Sequence, residues 1–345
     1  MEIDGSYGEG GGQLLRFSMG LSTLFGEDVT IVNIRANRNP SGIRPQHLAA
    51  IRAVGMLANA ELSGDAVGSS SISFKPGKVT GGEFEFNVGT AGSVTLVLQA
   101  ILPVALMAES PVSGRIVGGT EVKWSPTVDY FDQVFLKGLR SMGVDISVEL
   151  VRSGYYPKGG GIIRFSVRPR ARLAPLVANA SPKNDLKCYG VSRCAHLPIS
   201  VAERQTKSVR ALLNSAGIPI ARLDTVRLDD SISPGSSVTL WAISKSASFI
   251  GSDSVGERGK AAEIVGSEAA TAFSNCTKAG SAVDDHFADM ILPYMLKAEG
   301  QSKITIPSVS EHLLTEVHVA KLFGAADIQV NDHGLPPEIV VVPKT

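Results

Sequence analysis

The chain has 345 residues, of which 43% are hydrophobic and 19% are charged, and this globular composition excludes extended disorder. Its 33 basic residues balance 33 acidic residues, which argues against a protein that coats nucleic acid through many phosphate contacts. The 3 cysteines include no close pair, so a disulfide framework and a zinc knuckle are excluded as well. Neither a signal peptide nor a membrane-spanning run is recognisable, and we expect a cytoplasmic protein with no membrane partner.

Hydrophobic periodicity along residues 10–88 predicts a helix, a strand, a second helix and two further strands. The first helix comes from GGGQLLRFSMGLSTLFG, and the last two strands come from SISFKP and EFEFNV. The same order of elements returns at residues 92–168 and again at residues 282–343. We therefore predict an α/β fold with layers of the α+β type, in which three repeats bury their helical faces together.

Residues 178–276 interrupt the third repeat with one further small α/β unit, entered through the polar segment ANASPKND. In this unit KCYGVSRCAHLP, SVTLWAIS and SASFIGSDS read as strands, and two amphipathic stretches read as helices. We predict a large domain of residues 1–177 and 277–345 and an inserted domain of residues 178–276.

A glycine-rich loop, Gly8-Glu9-Gly10-Gly11-Gly12-Gln13, opens the first predicted helix. Free backbone amides at a helix start favour anions, so the loop is a candidate phosphate site, and a tight turn without a ligand is an equal alternative. The loop matches neither the P-loop nor the dinucleotide-binding pattern. A carboxylate is a poor direct partner for phosphate, and Glu9 suits a divalent cation that bridges to phosphate better.

Three arginines, Arg35, Arg38 and Arg44, stand within ten residues, and Arg16 lies one turn into the preceding helix. Planar guanidinium groups bind phosphate oxygens two bonds at a time, which favours a phosphate site over a merely solvated loop. No aromatic residues alternate with these arginines, so a base-stacking platform is not predicted in this segment.

Three further segments are rich in glycine or resemble phosphate loops: Gly89–Ser93, Tyr155–Gly161 and Ser252–Lys260. The first precedes the helix of the second repeat, at the place equivalent to the first glycine loop. Taken singly, each is more typical of a turn than of a binding site.

One histidine, His312, lies at a predicted strand-to-helix junction in PSVSEHLLT. The positive end of a helix disfavours imidazolium, so a histidine there keeps a neutral, nucleophilic nitrogen. A satisfied surface or core histidine is the alternative at this point. Asp289 stands on the neighbouring predicted helix, where FADMILP turns apolar and a purely solvated carboxylate fits poorly.

Read together in chain order, these segments resemble the RNA 3′-terminal phosphate cyclase family over nearly the whole chain. The resemblance is carried by DGSYGEGGGQLLR, by the segment from Arg35 to His47, by GTAGSVTLVLQ, by YPKGGG, by ADMILP and by HLLT. It implies three repeats of a unit of two helices on a four-stranded sheet, with a smaller inserted α/β domain. It also implies ATP-dependent conversion of an RNA 3′-phosphate into a 2′,3′-cyclic phosphate, through a covalent AMP–histidine and an adenylylated RNA end.

The resemblance assigns roles to individual residues of this sequence. The catalytic residues would be His312 as the adenylylated nucleophile, Arg16, Arg38 and Asp289. ATP would be bound by Gln99, His286, Phe287, Ala288, Asp289 and Met290. The phosphate and the RNA end would be bound by Arg35, Arg38, Arg44, Gln46 and His47, and Glu9 would hold Mg²⁺ or Mn²⁺.

Two other functions compete with this interpretation. A non-catalytic relative acting in ribosomal RNA processing would lack the histidine, whereas His312 is present here. A carboxyvinyl transferase of the enolpyruvate type shares a repeat-built architecture but gives His312 no role. The expected partners are therefore ATP and RNA with a 3′-phosphate end; a homodimer is compatible with the sequence and not required by it.

Overall fold

The computed structural model of the chain describes residues 1–8, 10–170, 172–179, 186–243 and 247–344. Within these ranges, helices pack against four sheets of four strands each, so the predicted mixed α/β class is confirmed. Most of the predicted linker at residues 178–185 lies outside the described residues. None of the described helices is both long and apolar enough to cross a membrane.

The first sheet and its two helices occupy the first 75 residues. They comprise β1 (Glu2–Asp4), α1 (Gly12–Phe25), β2 (Val29–Val32), α2 (Pro45–Leu57), β3 (Glu61–Ser63) and β4 (Ile72–Lys75). The strand order is β1-β2-β4-β3, in which β1 and β2 are parallel and the other pairs are antiparallel. β3 was not predicted, because three residues are too few to show an alternating pattern.

The second sheet follows directly. Its elements are β5 (Gly82–Asn87), α3 (Val94–Ala105), β6 (Val112–Gly118), α4 (Val128–Tyr130), a π-helical turn (Phe131–Phe135), α5 (Leu136–Ser141), β7 (Ile146–Arg152) and β8 (Gly161–Val167). The order β5-β6-β8-β7 again begins with a parallel pair. The assignment of EFEFNV to the first repeat was wrong, since β5 pairs with β6; alternation predicts a strand but not its neighbour.

After a short strand, β9 (Val177–Ala178), the chain builds a separate sheet with its own helices. This part contains β10 (Lys187–Ala195), α6 (Ser200–Ser215), β11 (Ile220–Leu228), β12 (Gly235–Ile243), β13 (Gly251–Val255) and α7 (Ala262–Ala279). The order is β11-β10-β12-β13, and its buried residues form a hydrophobic cluster of their own. β11 was not predicted, because only its Leu223 is buried and the other residues of the strand give no clear apolar face.

The last sheet combines β9 with the end of the chain. Its other elements are α8 (Asp285–Met295), β14 (Ser302–Thr305), α9 (Glu311–Leu322), β15 (Ala326–Asn331) and β16 (Glu338–Pro343). The order β9-β14-β16-β15, with β9 parallel to β14, is the order of the first two sheets.

One continuous hydrophobic core joins the helices of these three sheets. It includes Leu14 of α1, Leu98 of α3, Ile291 of α8 and Val317 of α9, each 5% exposed or less. The packing brings the amino-terminal helix beside the last helix, so that Gln13 donates a hydrogen bond to Glu316 at 2.6 Å. The two ends of the sequence therefore meet at the place where the candidate site residues lie.

We expect Gly114→Ala to destabilise the fold, because a Cβ added at this position in β6 would lie 1.8 Å from the carbonyl oxygen of Phe84 in β5. The strands would have to separate, and we expect a loss of about 1–3 kcal/mol in the free energy of unfolding, measured by urea denaturation. Gly300→Ala is the matched control, since a Cβ there meets only Pro175 at 3.7 Å. Equal stability of the two variants would contradict the close packing of β5 on β6.

Candidate active site

The glycine loop before α1 fits tightly against α9. Gly8 adopts φ +58°, and an added Cβ would lie 2.1 Å from the side-chain oxygen of Thr315. Glycine is therefore required at position 8 for both its backbone conformation and its lack of a side chain. α1 then begins at Gly12, and Gly11 before it provides no side-chain cap for the first amides of the helix. These amides are the groups that favour an anion at a helix start.

His312 lies in the first turn of α9 and is half-buried. The helix starts at an ordinary polar cap, in which the Ser310 hydroxyl accepts a hydrogen bond from the Leu313 amide at 3.0 Å. The same hydroxyl donates to a carboxylate oxygen of Asp289 at 3.1 Å. Residues three apart share one side of a helix, so His312 lies on the side of α9 from which Thr315 meets Gly8. The structure thus brings the turn of α9 that contains His312 to the glycine loop.

The arginine-rich loop converges on the same place. Burial, followed by the charges of Arg38 and Arg44, lowers the pKa of Arg35, which shows that these guanidinium groups lie close enough to repel one another. The Nε atom of Arg35 is buried without a hydrogen-bond partner. Arg44 is half-buried and Arg38 is exposed. An anion placed among these groups would relieve their repulsion.

His47 packs against the glycine loop, and an added Cβ at Gly12 would lie 2.3 Å from its ring. Burial lowers the pKa of His47 to about 4, and the charges of Arg16, Arg35 and Arg44 act in the same direction. The imidazole is therefore neutral at physiological pH. It contributes a neutral hydrogen-bonding group beside the arginines rather than a further positive charge.

Gln46 connects this region to the second glycine-rich loop. Its side-chain oxygen accepts a hydrogen bond from the Ser93 amide at 2.7 Å, and its amide nitrogen donates to the Ser93 carbonyl at 3.4 Å. A Cβ at Gly92 would lie 2.4 Å from the Gln46 side chain, so the contact depends on glycine there as well. The segment Gly89–Ser93 thus lies next to the arginine-rich loop and is held to it by Gln46.

A cleft lies where α1, α3, α8 and α9 meet. The predicted residues that line it are Arg16, Gln99, Asp289 and Met290. Burial lowers the pKa of Arg16 to about 10, against the opposing charge of Glu316, so the guanidinium remains charged at neutral pH. Its Nε atom is buried without a hydrogen-bond partner. This cation is available to an anionic ligand.

Glu316, which was not among the predicted site residues, also lines the cleft. Its side chain accepts the hydrogen bond from Gln13, while its second carboxylate oxygen is buried and unpartnered. Burial and the nearby Asp289 raise the pKa of Glu316 well above its usual range, although Gln13 and Arg16 oppose the shift. The sequence signal for Glu316 is its spacing, since a residue four positions after His312 lies on the same side of the helix as His312.

The predicted ATP-binding run 286–290 on α8 does not act as one surface. His286 is exposed and lies edge-on to Tyr130 at 6.3 Å, and Asp289 and Met290 line the cleft. Phe287, by contrast, is fully buried and stacks on Phe249 at 4.9 Å. The methyl group of Ala288 is also in the core, at 3% exposure. The side chains of Phe287 and Ala288 therefore do not reach the cleft.

Carboxyl groups surround the start of α8. Asp284 caps the helix, and burial raises its pKa to about 6 despite hydrogen bonds from Tyr130 at 2.6 Å and from the Phe287 and Gly251 amides. Desolvation lowers the pKa of His286, but the neighbouring carboxylates, chiefly Asp284, outweigh it, so that the pKa is raised overall. His286 therefore binds its proton more tightly than an isolated imidazole does.

The metal ligand predicted from the sequence, Glu9, lies outside the described residues. Across the rest of the chain that the structure describes, no group of three or more His, Cys, Asp and Glu side chains is arranged to hold a metal ion. A cation that bridges to a triphosphate needs only one or two protein carboxylates, so this finding leaves the Glu9 hypothesis as a prediction from sequence.

Comparison with known proteins identifies the family. The family model for RNA 3′-terminal phosphate cyclase matches residues 7–330. The chain belongs to the RNA 3′-terminal phosphate cyclase family. It is 42% identical to the RNA 3′-terminal phosphate cyclase of Caldivirga maquilingensis, over 99% of this chain and 98% of that one. It is 43% identical to the enzyme of that name from Methanopyrus kandleri, over 100% and 99% of the two chains.

The cyclase of Pyrococcus furiosus is 44% identical over 93% of this chain and 92% of its own. Among solved structures, the enolpyruvyl transferase NikO from Streptomyces tendae aligns with 99% of this chain and 48% of that chain, at a TM-score of 0.37 and 9% identity. A similarity of that size supports no conclusion about fold or function. The family resemblance found in the sequence is confirmed by the family model and by these relatives.

A pH-dependent stability difference follows from the environment of Asp289. Burial, opposed mainly by His286, raises its pKa from 3.8 to about 7, so the folded chain binds this proton more tightly than the unfolded chain does. As pH rises from 3.8 to about 7, the free energy of unfolding of the wild type therefore falls. This group accounts for at most about 1.4 kcal/mol of that fall per pH unit. Asp289→Asn keeps a side-chain oxygen that accepts the hydrogen bond from Ser310. Because asparagine does not titrate, the variant does not lose stability in this way as pH rises.

The measurement is urea unfolding of the wild type and Asp289→Asn at several pH values between about 4 and 8. We expect the stability of the variant relative to the wild type to rise with pH and to level off above about 7. Asp332→Asn, which alters a carboxyl that is 66% exposed, is the control. A difference that does not change with pH would contradict the raised pKa of Asp289.

Proposed function

We propose that this chain is an RNA 3′-terminal phosphate cyclase that uses ATP to convert an RNA 3′-phosphate into a 2′,3′-cyclic phosphate. The main supporting observation is the contact of Gly8 with Thr315, which joins the glycine loop to the turn of α9 that contains His312. Membership of the cyclase family supports the reaction, and the identities of 42–44% with its named members extend over nearly the full chain.

In the first step, a ring nitrogen of His312 attacks the α-phosphorus of ATP. A phosphorus–nitrogen bond forms, and the bond to pyrophosphate breaks, so the nucleotide becomes covalently bound to the enzyme. His312 lies in the first turn of α9, and the positive end of a helix favours the neutral imidazole that this attack requires. The guanidinium groups of Arg16 and Arg38 would stabilise the negative charge that develops on the phosphates.

In the second step, an oxygen of the RNA 3′-phosphate attacks the phosphorus of the bound AMP, and the histidine nitrogen leaves. In the third, the neighbouring 2′-hydroxyl attacks the 3′-phosphorus, loses its proton and expels AMP. The nucleophile of this last step is already part of the substrate, so the protein contributes mainly by positioning it. We assign the RNA phosphate to the rim formed by Arg35, Arg38, Arg44, Gln46 and His47.

We assign ATP to the neighbouring side of the site. Gln99, Asp289 and Met290 line the cleft, and His286 offers an exposed ring beside it. Contacts of Phe287 and Ala288 with the nucleotide would be limited to backbone atoms. Asp289 acts on His312 through Ser310 in this proposal, as a positioning residue. A divalent cation, Mg²⁺ or Mn²⁺, would be held by Glu9 and would offset charge on the triphosphate.

The architecture is part of the same proposal. We infer that the three sheets with identical strand order are three copies of one unit of two helices on a four-stranded sheet. Residues 178–276 are then an inserted α/β domain within a large domain of residues 1–177 and 277–345. The separate hydrophobic cluster of the inserted part supports this division. We also expect a cytoplasmic location, as for an enzyme that acts on RNA.

Incubation with α-labelled ATP tests the nucleophile directly. We expect label on the wild type and none on His312→Ala, which should also fail to cyclise a short 3′-phosphorylated RNA, as measured by phosphatase challenge of the product end. His333→Ala is the matched control, because this histidine is fully exposed on the last sheet's connection. Substantial cyclisation by His312→Ala would refute the mechanism. A wild type that takes up no label would favour a non-catalytic role in RNA processing.

The arginines have a separate prediction. We expect Arg16→Ala and Arg38→Ala each to slow the uptake of label by ~10–1,000-fold, the scale of losing one preorganised charge contact. Arg52→Ala is the control, since Arg52 lies exposed on α2 and pairs with Asp65 at 3.0 Å. Unchanged rates in Arg16→Ala or Arg38→Ala would move that arginine from the ATP step to the RNA end or to a structural role.

A further inference from the structure

Two aromatic side chains stand almost entirely in solvent. Among the described residues, Trp124 at 88% and Tyr156 at 77% are the most exposed large aromatics. Trp124 also has φ +62°, a left-handed conformation that is uncommon and strained for a bulky residue. Neither residue contributes to a core, and the site described above does not use them. Both rings are therefore accessible to a ligand.

The loops that carry these aromatics are joined. Glu121 forms a backbone bridge to Tyr155, and the Thr120 amide donates to the Gly154 carbonyl at 2.8 Å. From the chain length between each aromatic and this bridge, the Cα atoms of Trp124 and Tyr156 are at most about 20 Å apart. The two loops are thus joined, and the Cα atoms that carry the two rings lie within the span of a few nucleotides.

A third loop and several basic side chains complete this surface. Lys123 pairs with Glu257 at 2.9 Å, which attaches the loop at residues 256–260. Lys158 and Arg258 are exposed on two of the three loops. Lys123 also lies 4.7 Å from the centre of the Trp124 ring, so it covers one face and leaves the rest to solvent. We call the loops at residues 121–126, 155–161 and 256–260 the aromatic surface.

The aromatic surface is continuous with the candidate active site through a series of close loop contacts. A Cβ at Gly159 would lie 2.7 Å from the Cα atom of Ala91, so its loop rests on the Gly89–Ser93 segment. That segment is bonded to Gln46, which is next to His47 and the arginines. A continuous series of loop contacts therefore leads from the proposed site of the RNA phosphate to the loops of Trp124 and Tyr156.

We propose that the aromatic surface binds the single-stranded RNA that precedes the reacting end, with bases stacked on Trp124 and Tyr156. Separate aromatic rings among basic side chains are the arrangement that binds single strands without reading their sequence. This order of loops fixes the direction of the bound RNA strand, since its 3′-phosphate lies at the arginines and its earlier nucleotides extend toward Trp124. This inference rests on the proposed function, because it assumes that RNA with a 3′-phosphate end is the substrate.

The first test uses the fluorescence of Trp124. The chain has 2 tryptophans, so Trp241→Phe leaves Trp124 as the sole tryptophan. We expect a 3′-phosphorylated 10-nucleotide RNA, added without ATP, to quench this emission. The same oligonucleotide with abasic sites upstream of its end, a 3′-phosphorylated dinucleotide and ATP alone should leave it unchanged. Quenching by the dinucleotide or by ATP alone would place Trp124 in the nucleotide site and overturn the proposal, as would no response to the 10-nucleotide RNA.

The second test measures cyclisation by Trp124→Ala and Tyr156→Ala. Loss of one stacking contact should raise KM for the 10-nucleotide substrate by about 10-fold, with KM for the dinucleotide and the uptake of label from ATP unchanged. Leu335→Ala is the control, since this side chain is 100% exposed and apolar but lies on the last sheet's connection. Equal effects on both substrate lengths, or no effect on either, would overturn the proposal.

The two proposals fail in different ways. A wild type that takes up no label from ATP contradicts the proposed function, whatever the fluorescence shows. A wild type that takes up label and cyclises RNA, but whose KM does not depend on Trp124 or Tyr156 at either length, contradicts the aromatic surface alone.

Discussion

The contact between the glycine loop and α9 sets the geometry on which the whole site depends. Gly8 can approach Thr315 only because it lacks a side chain and adopts a positive φ, and the next residue of α9, Glu316, accepts a hydrogen bond from Gln13 at 2.6 Å. These partners are about 300 residues apart in sequence. The site therefore exists only after the shared core of the three sheets has formed, and its integrity depends on the stability of the whole fold.

The net charge of the site at neutral pH differs from the sum of the usual charges of its side chains. Arg16 stays ionised, whereas burial favours the neutral form of Glu316 and brings the pKa of Asp289 to about 7. His47 is neutral because burial and the arginines oppose its protonation. The surroundings are thus more positive at neutral pH than a count of side chains suggests. A bound phosphate would supply the counter-charge that the protein itself withholds.

Local features of this site could be predicted from sequence, because they depend on neighbouring residues. The glycine loop, the arginine-rich segment and the start of α9 all lie where the sequence placed them. The membership of β5 in the second sheet could not be predicted, because strand pairing depends on distant residues. The burial of Glu316 has the same origin: its spacing from His312 is visible in the sequence, but only the packing of α1 against α9 shows that this carboxyl is buried.

The error at Phe287 has a different origin, the phase of a helix. A run of consecutive residues, 286–290, cannot face one ligand, because successive helical side chains point about 100° apart. His286, Asp289, Met290 and Pro293 follow the spacing of one side of α8, and the last three of them line the cleft. Phe287 lies on the other side and packs against Phe249. Helical spacing, applied to the amino-acid sequence of this run, is enough to separate the two groups.

The last helix shows how a half-buried histidine can be held for a reaction. Three contacts hold the start of α9 in place. Ser310 donates a hydrogen bond to Asp289, and Glu316 accepts one from Gln13. Between them, Thr315 packs against Gly8. These contacts come from two different helices and a loop, and His312 lies between them. A displacement of α9 along or around its own axis would break more than one of them. The fold therefore fixes the backbone that carries His312 before any nucleotide arrives, and the proposed attack on phosphorus would benefit from this preorganisation.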